Sequence, residues 1–288
     1  MAKTFYTLED LRAWLDARAP APESIALGVV GDPVAHSRSP EMQNAALIAS
    51  EIPLLYARFQ ILPNDLAEAL RAFRDLGFRG VNLTAPHKIA GLSLVDDADD
   101  FAREAGAINT IRFEKKRSRA TNTDGPGFVR AIRESFGADL RDLRVLILGA
   151  GGGAGRAIAA QCARDGCKSL ILANRDLAKM QAFAARLKIG ALEVIPWEND
   201  SLGAASARSD LIVQATPQGS QPNEFARHHL VYDLNYQPTA LQQSAARHAS
   251  GLTMLLHQGG LAFEFWFDRS APLEAMRRAL GLAPQDSR

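Results

Sequence analysis

RVLILGAGGGAGRAIAAQCA, residues 144–163, sets a glycine-rich turn directly between an apolar run and a helical stretch. A strand that turns sharply into a helix needs glycine, because the backbone must approach a ligand without a Cβ in the way. The helix start then offers unpaired N–H groups to an anion such as a pyrophosphate. Gly149, Gly151 and Gly155 give one residue more than the common G-x-G-x-x-G spacing. Downstream, SLILAN (169–174), ALEVIPW (191–197), DLIVQAT (210–216), LVYDLN (230–235) and GLTMLL (251–256) are short continuous apolar runs separated by helical or loop stretches. That alternation predicts a parallel sheet with helices on both faces, and a nucleotide-binding role for the glycine turn. At the end of the second strand, where NAD-binding sheets place an acidic residue, stand Asn174 and Arg175. A guanidinium suits a dianionic 2′-phosphate and points to NADP, while Asp176 beside it would suit the free ribose hydroxyls of NAD.

The first half reads differently but is also α/β. An amphipathic helix carrying Leu8, Leu11, Trp14 and Leu15 on one face is expected up to about Pro22. Strands are expected at Ile25–Val30, Leu55–Gln60 and Gly80–Leu83. Ser39 with Pro40 reads as a helix N-cap followed by a first-turn proline, with the helix running to about Glu51. A second helix is capped near Asn64 and closed by Gly77, and a third covers Asp99–Ala105. INTIRF and RATNTD form a hairpin whose charged connection EKKRSR (114–119) reads as a solvated loop. Beyond Gln258 the chain is expected to be helical.

Three polar clusters fall where strands end: GDPVAHSRSP (31–40), VNLTAPHK (81–88) and NTDGPG (122–127). Lys88 and Asp124 are candidates for proton transfer, since a lysine beside a carboxylate holds its geometry and exchanges a proton with a substrate oxygen. Ser37 and Ser39, at a helix start, suit a carboxylate. His36 and His87 read as loop histidines that position their turns.

Composition narrows the class. The 288 residues are 47% hydrophobic and 23% charged with a formal charge of +1, which fits a globular enzyme and gives no basic surface for nucleic acid. Cys162 and Cys167 are too few for a disulfide framework and suit no zinc site, so reduced thiols and no metal are expected. No apolar run reaches transmembrane length, and the first residues do not read as a signal sequence; a cytoplasmic enzyme without membrane contact is the expectation.

GDPVAHSRSP, VNLTAPHK, GAINT, TNTDGPGF, LGAGGGAGRA, ANRD, ATPQG, DLNYQP and LLHQGG occur in the order and approximate spacing of the shikimate dehydrogenase family. The resemblance covers about Ala26 to Trp266. It implies a small-molecule substrate, shikimate or 3-dehydroshikimate; a monomer or homodimer is the expected state. It assigns Ser37 and Ser39 to the substrate carboxylate, and Thr84, Asn109, Tyr236 and Gln258 to the ring hydroxyls or the lining of their pocket. Lys88 and Asp124 become the catalytic pair. Gly149, Ala150, Gly151, Gly152, Gly153 and Ala154 hold the pyrophosphate, Asn174 and Arg175 the 2′-phosphate, and Leu234 and Gly251 pack near the nicotinamide. Departures from the family pattern are Gln43, Asp176, Gln214 and Ser220, none in the implied catalytic set.

The expected architecture is two α/β domains flanking a cleft: a substrate domain over 1–124, completed by 258–288, and a Rossmann-type dinucleotide-binding domain over 125–257. Two rivals remain open at this point. One is an NAD-dependent quinate/shikimate dehydrogenase, favoured by Asp176 and disfavoured by the intact serine pair. The other is a non-catalytic sensor of shikimate-pathway ligands, disfavoured by the presence of Lys88, Asp124 and the glycine turn together.

Overall fold

The structure is a computed structural model that describes residues 3–18, 21–115, 117–216, 226–236 and 245–284. The chain divides into two compact units, one formed by Met1–Thr123 with Gln258–Arg288 and one by Asp124–His257.

In the second unit, the strands β7 (Arg144–Leu148), β8 (Ser169–Asn174), β9 (Leu192–Pro196), β10 (Leu211–Gln214), β11 (Leu230–Asp233) and β12 (Arg247–Ser250) form one all-parallel sheet. Their order is β12-β11-β10-β7-β8-β9. The pattern reverses between β7 and β10, which is the doubly wound order with its switch point at the glycine turn. The continuous apolar runs are explained by burial on both faces. Val145 and Ile147 join one core with Phe128 of α6 (Asp124–Phe136) and Ile158 of α7 (Gly153–Asp165). Leu146 and Leu148 join another with Leu202 and Ala205 of α9 (Asn199–Ala207). Successive strand residues point to opposite faces, so each face needs its own apolar layer.

One expected strand is wrong. GLTMLL opens a 16-residue helix, Leu252–Phe267 (α10), and the sixth strand is the short polar RHAS before it. Across the polar and glycine break HQGG the same helix runs on through LAFEFWF, 16 residues in all and far beyond ordinary strand length.

The first unit holds a mixed sheet, β2-β1-β3-β5-β6-β4. Its strands are β1 (Ile25–Gly31), β2 (Leu55–Gln60), β3 (Gly80–Leu83), β4 (Asp97–Ala98), β5 (Thr110–Glu114) and β6 (Arg117–Thr121). β1 pairs in parallel with β2 and β3, and β5 runs antiparallel to β3 and β6. Val30, Phe59, Val81 and Ile111 pack with Leu8 and Leu11 of α1 (Leu8–Asp16) and with Leu70 and Phe73 of α3 (Leu66–Asp75). α1 stops at Asp16, short of the expected Pro22. Ahead of it Tyr6 makes a parallel bridge to Phe59 on the outer edge of β2. Trp266 of α10 is fully buried in this unit, its indole N–H donating to the Ile111 carbonyl at 2.9 Å. It lies so close to Gly80 that a Cβ there would sit 2.3 Å from the indole nitrogen.

Two local readings also change. α2 (Ser39–Ala49) begins at Ser39 itself, with Arg38 in the N-cap position and no side-chain cap. The Ser39 N–H is met instead by the Ser37 hydroxyl oxygen at 3.3 Å. In the charged run 114–119, Arg117–Arg119 belong to β6, with Ser118 buried, so the connection shrinks to a tight turn near Lys115. A strand whose arginines alternate onto its exposed face explains the charge better than a loop does.

Candidate active site

In the first unit the implied substrate residues gather at the ends of the central strands. β1 runs into the loop carrying Ser37, and the Thr84 N–H donates to the Val30 carbonyl at 2.9 Å, tying the end of β3 to the end of β1. The chain then turns into α4 (His87–Ala90), which carries Lys88. The Lys88 carbonyl accepts from the Ile108 N–H at 2.8 Å, so this turn is stitched to the segment that leads into Asn109.

Asn109 is buried, and its amide N–H₂ donates to the Gln258 side-chain oxygen at 3.1 Å and to the Thr123 hydroxyl at 2.9 Å. Its own side-chain oxygen accepts from the Thr123 N–H at 2.8 Å. Behind it, the Asn82 amide donates to the Asn109 carbonyl and the Thr110 hydroxyl, each at 3.0 Å, and the Tyr56 hydroxyl donates to Asn82 at 2.8 Å. This buried ladder fixes which way each amide faces, as buried polar groups must be paired to be tolerated. Thr123, Asn82 and Tyr56 were not singled out in the sequence. Asn82 and Thr123 lie inside the quoted motifs, and only the third dimension shows them reaching Asn109.

His87 is buried with Nε2 2.8 Å from the Ile61 carbonyl, and burial pushes its pKa down. That is a packing role. His36 is exposed on its loop. Gln43 is also structural: its amide donates to the Gly259 carbonyl at 2.9 Å, holding the segment next to Gln258.

Asp124 stands first in α6, buried at 3% exposure, where the positive end of a helix stabilises a carboxylate. In the same unit the implied cofactor residues line the C-terminal edge of the parallel sheet. Gly149 adopts φ +85°, and a Cβ there would lie 2.0 Å from the Thr216 methyl. A Cβ on Gly155 would meet the Gly149 carbonyl at 2.7 Å and Ala150 Cα at 2.8 Å, so this glycine lets α7 pack against the end of β7. The longer glycine spacing therefore keeps the close-packing role and moves it one position on.

Gly152 is the N-cap of α7, makes no side-chain cap, and would meet nothing within 4 Å if given a Cβ. Open space in front of uncapped N–H groups is what a pyrophosphate needs. Asn174 lies against Gly151, and its side-chain oxygen accepts from the Arg175 N–H at 2.8 Å. The Arg175 guanidinium sits 5.9 Å from the centre of the Trp197 ring. Asp176 has a structural purpose: it is the N-cap of α8 (Leu177–Ala184), accepting from the Lys179 N–H at 3.0 Å. Leu234 and Gly251 come together, for a Cβ on Gly251 would be 2.2 Å from the Leu234 carbonyl oxygen. Tyr236 is half-buried just beyond β11. Ser220 lies outside the described residues. The residues present thus fit a dinucleotide with a phosphorylated ribose.

Among the described residues no cluster of metal-ligating side chains occurs, both cysteines are free and buried, and no helix is long and apolar enough to cross a membrane.

Comparison with known proteins gives three family matches. "Shikimate dehydrogenase substrate binding domain" matches residues 29–111, "Shikimate / quinate 5-dehydrogenase" residues 131–231, and "Shikimate 5'-dehydrogenase C-terminal domain" residues 251–280. The shikimate dehydrogenase (NADP(+)) of Methanopyrus kandleri is 39% identical, over 90% of this chain and 95% of its own. Shikimate 5-dehydrogenase from Thermus thermophilus, solved in complex with NADP(H) and shikimate, superposes with a TM-score of 0.77 at 31% identity, covering 89% of this chain and 98% of its own. Quinate dehydrogenase from Corynebacterium glutamicum, solved with NAD, gives a TM-score of 0.77 at 29% identity, over 89% of this chain and 98% of its own.

Proposed function

The chain belongs to the shikimate dehydrogenase family, and on that footing we propose the roles of its residues in the NADP-dependent interconversion of 3-dehydroshikimate and shikimate. The protein is an oxidoreductase of that reaction. The observation that carries the residue roles is the union of Asn109, Thr123 and Gln258 in one buried, directional network. Such a network presents fixed amide groups to ring hydroxyls, and a hydroxyl-reading site discriminates strongly because an unmatched partner leaves buried polar groups unpaired.

When bound, NADPH supplies the hydride. Gly149–Ala154 hold its pyrophosphate through backbone N–H groups, Asn174 and Arg175 hold its 2′-phosphate, and Leu234 and Gly251 give the nicotinamide an apolar wall. Ser37 and Ser39 donate hydrogen bonds to the substrate carboxylate, while Thr84, Asn109, Tyr236 and Gln258 fix the ring hydroxyls. Lys88 acts at the C3 oxygen. In the reducing direction its ammonium gives a proton to the oxygen of the ketone; in the oxidising direction its amine takes the proton of the hydroxyl. Asp124 is the second residue of the proposed catalytic set. No metal is needed for this chemistry.

Units Met1–Thr123 with Gln258–Arg288 and Asp124–His257 correspond in this reading to substrate and dinucleotide binding. A cytoplasmic location and a monomeric or homodimeric state complete it. NADP preference is favoured over NAD by Arg175 together with the N-cap duty of Asp176. The test is an assay matrix of shikimate and quinate, each with NADP and NAD. The expected result is the highest kcat/KM for shikimate with NADP. Higher kcat/KM for quinate, or binding of shikimate without turnover, overturns it.

A further inference from the structure

The loop that carries Ser37 and Ser39 is held from behind by an arginine on the edge strand of the sheet. Arg58, in β2, points its guanidinium fork at the Ser37 carbonyl: Nη2 donates at 2.7 Å and Nε at 3.1 Å. Two N–H groups of one planar fork on a single carbonyl fix the plane of the peptide between Ser37 and Arg38. That peptide sets both serines. The Ser37 hydroxyl oxygen accepts from the Ser39 N–H, and Ser39 opens α2. A rotated peptide would therefore turn both hydroxyls together.

Nη2 of Arg58 also donates to Glu41 Oε1 at 2.6 Å, in the first turn of α2. The ion pair ties the same guanidinium to the first turn of α2, so one side chain holds both the loop and the helix that follows it. The backbone of Arg58 is fixed in turn. Its carbonyl accepts from the Tyr6 N–H at 2.9 Å, and the Gln60 N–H donates to the Tyr6 carbonyl at 2.8 Å. The N-terminal segment thus occupies the outer edge of β2 at the residue that grips the serine loop, and this segment lies before the family match, which starts at residue 29.

We propose that Arg58 is a positioning residue for substrate recognition: it orients the Ser37–Ser39 loop toward the substrate carboxylate, with Tyr6 bracing the strand that carries it. The proposal rests on the reading of the two serines as the carboxylate clamp.

The experiment compares shikimate with its methyl ester, in which the carboxylate is blocked, using the full chain and saturating NADP. Arg58→Gln is expected to raise KM for shikimate about tenfold, with kcat within about twofold, since misplacement of a binding group acts on the ground state and transition state alike. KM for NADP stays put. Because the ester cannot use the charged clamp, the shikimate-to-ester ratio of kcat/KM falls by about the same tenfold. Arg58→Lys keeps one donor and the charge, and is expected to sit between; should the glutamine variant fail to fold, a fall in the ratio is read on the lysine variant instead. Ser37→Ala with Ser39→Ala is the control. If that pair leaves the ratio unchanged, the clamp reading falls and the role of Arg58 with it. If the pair collapses the ratio while both Arg58 variants preserve it, or weaken shikimate, ester and NADP alike, Arg58 is a purely structural residue and the proposal alone is overturned.

Discussion

Lys88 separates binding from chemistry most cleanly. It is the one cation proposed at the C3 oxygen, while the carboxylate and hydroxyl contacts lie with other residues. Lys88→Ala should then lower kcat by about 10²–10⁴-fold, the span usual for a general acid–base group, and change KM for shikimate far less. Steady-state kinetics on both constants check this; near-normal kcat with weakened binding would remove Lys88 from the mechanism. For the cofactor, Arg175 makes the proposed charge-assisted contact to the 2′-phosphate. Such contacts contribute on the order of 1.5–3 kcal/mol, so Arg175→Ala should reduce the NADP-over-NAD ratio of kcat/KM by about 10–150-fold. Asp176 was the residue in the sequence that argued for NAD. Its carboxylate turns out to cap α8, a duty that no local reading distinguishes from ribose binding, because both place an acid at a strand end. An unchanged cofactor ratio in Arg175→Ala would put the 2′-phosphate elsewhere.

Among the elements, the strand–turn–helix at β7 and α7 was legible because its constraints are local: a run buried on both faces, then glycines where a Cβ has no room. Gly155→Ala should confirm how tight that turn is. The added methyl would meet backbone at 2.7 and 2.8 Å, and backbone cannot swing aside as a side chain can. Overpacking of this kind destabilises by about 1–3 kcal/mol, visible as a lower Tm, and should weaken NADP before shikimate. Titration of the ligands would tell. What the sequence did not reveal is long-range. Asn109 meets Gln258 across 149 positions, and their shared role came only through family resemblance; GLTMLL misled because a short apolar window is the same in a buried strand and a buried helix. The opposite ends of the strands carry a pH-sensitive tie. Arg144, opening β7, donates through Nε, Nη2 and its backbone N–H to Asp210, just before β10, and these bonds hold that carboxyl down at about 2. A depressed carboxylate contributes stability above its unfolded value of 3.8 and loses it as pH falls toward 2. Asp210→Asn should flatten that part of the acid-denaturation curve, and an unchanged acid limb would mean that the pair persists in the unfolded chain.

At the scale of the whole molecule, the decisive feature is that one unit is continuous and the other is not. Asp124–His257 contains every strand of its sheet, whereas the first unit recovers its last pieces only from Gln258 onward. A chain cut after residue 257 should keep the secondary structure of the continuous unit and bind NADP, yet lose shikimate binding and cooperative unfolding of the first unit, because Trp266 and its bond to Ile111 are gone. Calorimetry with each ligand would resolve the two; retained shikimate binding would show that the C-terminal helices are dispensable. The same discontinuity has a meaning in time. A ribosome releases the first 123 residues and must then translate about 140 more before the closing tryptophan emerges, roughly 7–30 seconds at ordinary elongation rates. Through that interval the nascent chain carries a half-built apolar layer around Gly80 and Ile111, so the birth of this enzyme, more than its mature stability, is where chaperone supply should govern yield.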